Sequence, residues 1–359
     1  MSAAAKQRAP WYRSFRFWVS IVTAVLVGLI VWAAWPNILD AVDRLADVNP
    51  WILLLLVPVQ LASYAITGEV LFSYLRARGE MRGMHALTAM RMSLEFNFAN
   101  HMLPSAGAAG IAYTSWRLNT LGVSASRATL AQLVRFAVTF VSFILLLTFA
   151  VVSLIVQGNG AGAVLWTALV VGVLAIAVIV VGSLLLRRRR MLHRFAGWIA
   201  GLVGWVFRLI RKPAPIDAVG MVRFFDGLHI EFRDMLAAPR ALLAPFLWSF
   251  LINILDAGLY WVALAAFGVM ADPALLFVAY GLAAVASMVI ATPNGVGGYE
   301  VALVGTLVAG GMDGGTTIAA IVVARVILLL GTIVFGWAFY QHSVLTASAP
   351  RLKDAARID

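Results

Sequence analysis

Five ionisable side chains, Glu69, Arg135, Asp256, Glu300 and Arg325, stand in or beside long apolar runs. Charge at bilayer depth is costly, and residues of this kind pair with one another, relay protons or hold a substrate group. Glu300 can meet a cation or a proton, or it can cap a helix and form a structural ion pair. Arg135 and Arg325 can hold a phosphate headgroup, pair with Glu300, or act as snorkelling or structural bridges. Glu69 and Asp256 can serve as proton relay or ligand, or hydrogen-bond between helices.

Glu300 closes the stretch Ala291-Thr-Pro-Asn-Gly-Val-Gly-Gly-Tyr-Glu300. Pro293 lacks an amide hydrogen, and Gly295, Gly297 and Gly298 lack side chains, so the apolar run that reaches Ile290 must break and restart near Tyr299. Broken backbone at membrane depth is tolerated only where protein buries it or where it lines a cavity. With Pro293 and Asn294 in the break, the N–H groups beyond Gly295 and a positive helix end would point into that cavity beside Glu300, which suits an anion or a lipid headgroup. The same glycines also suit close helix packing. A second break, His101-Met-Leu-Pro-Ser-Ala-Gly-Ala-Ala-Gly110, sets Pro104 and Ser105 in a similar position. His101, Glu95 and Asn97 lie beside it as site residues or as interfacial polar residues.

The elements that must position these groups follow from composition. With 62% hydrophobic and 12% charged residues and a mean hydropathy of +0.93, the chain is an all-α polytopic membrane protein. Its net charge of +11 does not point to nucleic acid, because Lys and Arg cluster at the ends of apolar runs, where the positive-inside rule and anionic headgroups account for them. There is no Cys, hence no disulfide or thiolate chemistry. No phosphate-binding Gly-Lys-Ser/Thr loop and no His-Glu-x-x-His motif occurs, and no cofactor or metal is expected.

Full spans are predicted at Phe17–Trp35, Trp51–Leu75, Thr129–Val156, Val164–Leu186, Ala241–Phe267 and Thr316–Val344, about six in all. Residues 85–127 and 275–309 have arms too short to cross and read as two re-entrant helical hairpins. Between the halves, Met191–Lys212 and Asp217–Leu236 read as amphipathic helices in the cytoplasmic interface. Arg187–Arg190 and residues 76–84 are expected inside, with 37–49 and 157–163 outside. Five segments result: 1–49, N-terminal tail and first span; 50–186, first repeat plus a further span; 187–239, basic linker helices; 240–345, second repeat; and 346–359, cytoplasmic tail.

The two broken regions share spacing. Pro104 to Gly122 and Pro293 to Gly311 are both 18 positions, and Pro58 to Glu69 and Pro245 to Asp256 are both 11. A span, a hairpin and a span occur twice with opposite charge bias, which is the inverted-repeat pattern of transporters built from discontinuous helices.

The residues Thr292-Pro-Asn-Gly-Val-Gly-Gly-Tyr-Glu300, with Ala302-Leu-Val-Gly-Thr-Leu307, Gly311 and Ala324-Arg325, resemble the C-terminal signature of the lysylphosphatidylglycerol synthase transmembrane (flippase-type) family. His101–Gly110 with Gly122-Val-Ser124 is similar to its N-terminal signature, except that Ala108-Ala109 stands where many members have Gly-Glu. The resemblance implies handling of an aminoacylated phospholipid or another lipid-linked substrate. It does not imply synthesis, because the family's soluble aminoacyl-transferase domain would need about 300 further residues beyond Asp359.

The expected function is a flippase-like lipid transporter of the bacterial cytoplasmic membrane, with both termini cytoplasmic. Substrate phosphate would lie near Arg325 and Arg135, and a cation or proton would lie at Glu300. The alternatives are a membrane-embedded transferase acting on a lipid-linked donor, with Glu300 or Glu69 as base, and a non-catalytic lipid-binding subunit. Expected partners are an anionic or aminoacylated phospholipid or another lipid-linked substrate and the membrane, with a homodimer or a cell-envelope enzyme as protein partner and no nucleic acid.

Overall fold

A computed structural model describes residues 48–84, 86–102, 108–158, 162–209, 218–289 and 297–346. Of these, 88% are helical and none is in a strand. Twelve α-helices follow in order: α1 (Pro50–Leu54), α2 (Leu56–Ala77), α3 (Ala86–Met102), α4 (Ala108–Thr120), α5 (Ala125–Val156), α6 (Gly162–Arg187), α7 (Arg189–Leu209), α8 (Ala218–Ala237), α9 (Leu243–Ala266), α10 (Pro273–Val289), α11 (Gly298–Ala309) and α12 (Gly314–Thr346). Five stretches are long and apolar enough to cross a membrane: Pro50–Ala77, Ala125–Val156, Ala168–Arg187, Pro239–Ala266 and Gly314–Ser343. They correspond to five of the predicted spans, and the remaining one, Phe17–Trp35, lies outside the described residues.

Local chemistry sets the boundaries. Asn49 accepts from the N–H groups of Trp51 (3.1 Å) and Ile52 (3.4 Å), with Pro50 at the first helical position. Asp272 does the same for Ala274 (2.8 Å) and Leu275 (3.0 Å) ahead of α10. The ends of α4 and α11 are built alike. Gly122 and Gly311 take φ of +90° and +96°, and the N–H groups of Val123 and Met312 reach back to the carbonyls of Leu118 and Leu307. Ser124 and Asp313 then cap the restarting helices α5 and α12 at Arg127 N and Thr316 N.

The four short helices α3, α4, α10 and α11 have 17, 13, 17 and 12 residues. At about 1.5 Å per residue each falls short of a hydrocarbon core of about 30 Å. Leu275, at the start of α10, lies against Gly310, just past the end of α11, so α10 and α11 run antiparallel. Helices α2 and α9 also pack antiparallel: Asn49 N donates to the Ala266 carbonyl at one end, and Ser63 meets Asp256 midway. The short arms dock crosswise, α3 on α12 and α10 on α5.

Two of the three apolar clusters among the described residues follow one another along the helices. One holds Leu56, Phe143, Tyr260, Leu276, Leu303 and Ala324 among others; the second holds Leu71, Leu75, Leu130, Leu192, Phe225 and Ile252. Polar residues lie between them: Gln60, Ser63 and Tyr64 on α2, Thr139 and Ser142 on α5, and Asn253 and Asp256 on α9. The ends of α2, α5 and α6 gather on α8, where Glu231 pairs with Arg127 (2.7 Å) and Arg78 (3.8 Å), and the Leu186 carbonyl contacts His229 Nδ1 (2.7 Å). Asp226 of α8 takes Arg189 (2.8 Å) and His193 (2.7 Å) of α7.

Candidate functional site

Helix α11 restarts at Gly298, after Gly297 with φ of +94°. One turn in, Glu300 uses both carboxylate oxygens. Oε2 accepts from Gly297 N–H at 2.7 Å, and Oε1 accepts from Arg325 Nε at 2.6 Å. The Arg325 guanidinium sits 4.6 Å above the Tyr299 ring, and that ring lies 5.7 Å from Tyr260 of α9. The pair is largely withdrawn from solvent, with side chains 15% and 22% exposed for Arg325 and Glu300. Helix cap and ion pair are therefore one structure, tying the start of α11 to the middle of α12.

The polar layer joins the two halves of the chain. Ser63 Oγ donates to Asp256 Oδ1 at 2.6 Å, and Tyr280 OH of α10 to Oδ2 at 3.4 Å. Gln60 Nε2 donates to the Leu328 carbonyl (2.6 Å) and Thr332 Oγ1 (3.2 Å) of α12, and the Thr332 hydroxyl also meets Tyr64. Asn253 Nδ2 reaches the Thr139 carbonyl (3.1 Å) and Ser142 Oγ (2.8 Å) of α5. Apart from Gln60 Oε1, which is buried with no hydrogen-bond partner among the described residues, the bonds of this network fix register between helices that apolar packing alone leaves free to slide.

Other predicted charges have different surroundings. Arg135 stacks on Phe136 (4.5 Å) and on Phe96 of α3 (5.1 Å), and it has no acidic partner among the described residues. Glu69 is paired with Arg76 on its own helix. Glu95 is fully buried. Its Oε1 accepts from Arg91 Nε (2.9 Å) and Ser343 Oγ (2.6 Å), its Oε2 from Tyr113 OH (2.7 Å), and Arg117 stands at 3.8 Å. This centre binds α3 and α4 to α12.

Residues 17–336 match the family described as the lysylphosphatidylglycerol synthase TM region. The chain belongs to that family. No curated protein and no solved structure matches it.

Membership together with the five apolar helices makes this lysylphosphatidylglycerol synthase TM-region protein a multi-pass membrane protein with a lipid-related role. Of the predicted site residues, Glu300, Arg325, Gly297 and Gly298 come together. Arg135, Glu69 and Asp256 sit in three separate settings. His101 falls in the last turn of α3. Pro104, Ser105, Pro293, Asn294 and Gly295 lie outside the described residues. What the sequence did not single out are the neutral partners Ser63, Tyr280, Gln60, Tyr64, Thr332 and Tyr113. A hydroxyl in an apolar run carries no charge signal, and only Gln60, an amide amid aliphatic residues, is conspicuous in the sequence.

Proposed function

We propose that this protein is a flippase-like lipid transporter whose polar site lies between two re-entrant hairpins arranged as an inverted repeat. The observation that carries the proposal is the polar layer between two apolar clusters, crossed by the antiparallel α2–α9 contact and bordered by the Glu300–Arg325 pair at a restarting helix. A headgroup passing between leaflets needs such a polar layer at mid-depth, while its acyl chains stay in lipid.

Several features support the repeat. Helices α2 and α9 carry the equivalent positions Glu69 and Asp256 and run in opposite directions. The arms dock crosswise, as a two-fold relation within the membrane plane requires, and the Gly122 and Gly311 junctions share one hydrogen-bond pattern. In this scheme 50–186 holds the first repeat plus a further span, 240–345 is the second repeat, and residues 187–239 form the basic linker. The gathering of the Arg78, Arg127 and Arg189 ends on α8 supports a cytoplasmic position for that side.

The substrate is an anionic or aminoacylated phospholipid, or another lipid-linked headgroup. Its phosphate meets Arg135, together with the N–H groups of the break around Pro293, Asn294 and Gly295. Pro104, Ser105 and His101 border the site from the first break. Glu300 and Glu69 each already hold an arginine, so neither is placed as a general base, which favours transport over transfer.

Lipid translocation by the purified protein in liposomes, with labelled anionic and aminoacylated lipids, tests the proposal. Mass spectrometry of co-purified lipid identifies the substrate. Failure of every headgroup class to move faster than in empty liposomes overturns it.

A further inference from the structure

Four acids lie in the apolar helices or the short arms, and three of them hold arginine: Glu69 with Arg76, Glu95 with Arg91 and Arg117, and Glu300 with Arg325. Asp256 differs. Its partners are the hydroxyls of Ser63 at 2.6 Å and Tyr280 at 3.4 Å, and no cation pairs with it among the described residues. From this contrast we infer that Asp256 is the proton-exchanging acid that couples the proposed lipid movement to a proton gradient. The inference rests on the transport reading given above.

Among the described residues, the groups that face Asp256 are neutral. Helix α2 offers Ser63 and Tyr64, α10 offers Tyr280, and α9 itself carries Tyr260 one turn on. Helix α5 meets this part of α9 with Thr139 and Ser142, and its one charge near there, Arg135 one turn before Thr139, lies over the Phe96 and Phe136 rings. On α11 and α12 the nearest charges are Glu300 and Arg325, which hold each other, and α1 has no ionisable group. Arg240 in the turn ahead of α9 is 16 positions away, about 24 Å along a helix. A carboxylate in low dielectric that has only hydroxyl donors recovers its lost hydration by binding a proton.

The exchange balances simply. On protonation the carboxyl gains one O–H, and its contact with Ser63 reverses so that the acid donates and Ser63 Oγ accepts. On release the proton leaves to water, and Ser63 and Tyr280 donate to the carboxylate. Because Ser63 is on α2 and Tyr280 on α10, the charge change is felt at the α2–α9 contact and at the second hairpin together. Charged Asp256 binds these two elements more strongly than neutral Asp256 does, which is how a proton can shift a two-state junction.

The test uses the full chain in liposomes, as wild type, Asp256→Asn and Glu300→Gln. The infrared band of protonated carboxyl should be present in wild type, absent in Asp256→Asn and retained in Glu300→Gln. With one proton per lipid, a gradient of one pH unit should displace labelled lipid between leaflets by up to about tenfold, and Asp256→Asn should abolish that displacement. If Asp256→Asn does not fold, Ser63→Ala and Tyr280→Phe, which keep the acid and remove its donors, should shift the pH midpoint of the band. A band indifferent to all three changes overturns the assignment. A gradient response that survives in Asp256→Asn, or one reproduced by a sodium gradient at equal pH, overturns the coupling. If wild type moves no lipid, the transport reading fails, and the infrared band still decides whether Asp256 exchanges the proton.

Discussion

Replacing Glu300 with Gln removes one charge and converts one of two acceptor oxygens into a donor. Both oxygens are in use, one on Gly297 N–H at 2.7 Å and the other on Arg325 Nε at 2.6 Å. Glutamine can satisfy one of these donors, and its NH2 group then faces the second. Losing the cap alone costs about 1 kcal/mol. Losing the partner of a buried arginine costs about 3–5 kcal/mol, which partial exposure of both side chains reduces to about 2–3 kcal/mol here. Glu300→Gln and Arg325→Gln should therefore each destabilise by about 2–3 kcal/mol. The double variant should fall short of their sum by at least about 1.5 kcal/mol, because removing the second partner of a broken pair costs little. Detergent-micelle denaturation with SDS, followed by the fluorescence of the 12 Trp residues, measures all three. Additive effects within about 0.5 kcal/mol would refute the reasoning, since an uncoupled contact cannot be what holds α11 to α12.

Arg135→Gln should leave stability within about 1 kcal/mol of wild type, since no acid is orphaned, and should lower retention of anionic phospholipid by about tenfold in quantitative mass spectrometry. Gly281→Val should loosen the docking of α10 on α5, because a Cβ there meets the Phe143 ring; a loss of about 1–3 kcal/mol in the same denaturation assay is expected. Arg189 and His193 beside Asp226 hold its carboxyl well below the usual carboxylate range. A depressed acid gives stability that is present above its unfolded value and lost as pH falls through the folded one. The α7–α8 clamp should thus persist through the ordinary carboxylate range and open only in stronger acid, whereas Asp226→Asn should loosen it at neutral pH, as read by spin-label distances between α7 and α8.

Five of the predicted spans were legible in the sequence because length and apolarity alone define them, and the restart expected near Tyr299 matches α11, which begins at Gly298. The pairing of Glu300 was also open to sequence reasoning, since Arg325 was weighed as its partner. The fate of Arg135 was harder to read. In the proposed repeat it occupies nearly the same position as Arg325, yet Ile111 stands where the 189-residue offset from Pro293 to Pro104 would place an acid like Glu300. The first arginine therefore stacks on Phe96 and Phe136, and the second is neutralised. Contacts such as Ser63 to Asp256, 193 positions apart, depend on how α2 and α9 rotate about their axes, which hydroxyl residues in an apolar run do not encode locally.

Crosswise docking bears on how the proposed transport would move. Helix α3 packs on α12 and α10 packs on α5, so one short arm of each half is fastened to a long helix from the other half, while α4 and α11 pack on α5 and α12 of their own halves. The fastenings are close ones: a side chain at Gly336 of α12 would collide with Phe98 of α3, and Glu95 accepts from Ser343 of α12 at 2.6 Å. In the proposed transport a moving body would therefore draw on both halves of the chain, with α3 carried by α12 and α10 by α5. Rocking between such bodies must slide the α2–α9 contact, where Ser63 and Asp256 are the bonded pair at mid-depth. A charge change at Asp256 acts on that sliding surface directly, whereas the Glu300–Arg325 pair holds α11 to α12 on one side of it.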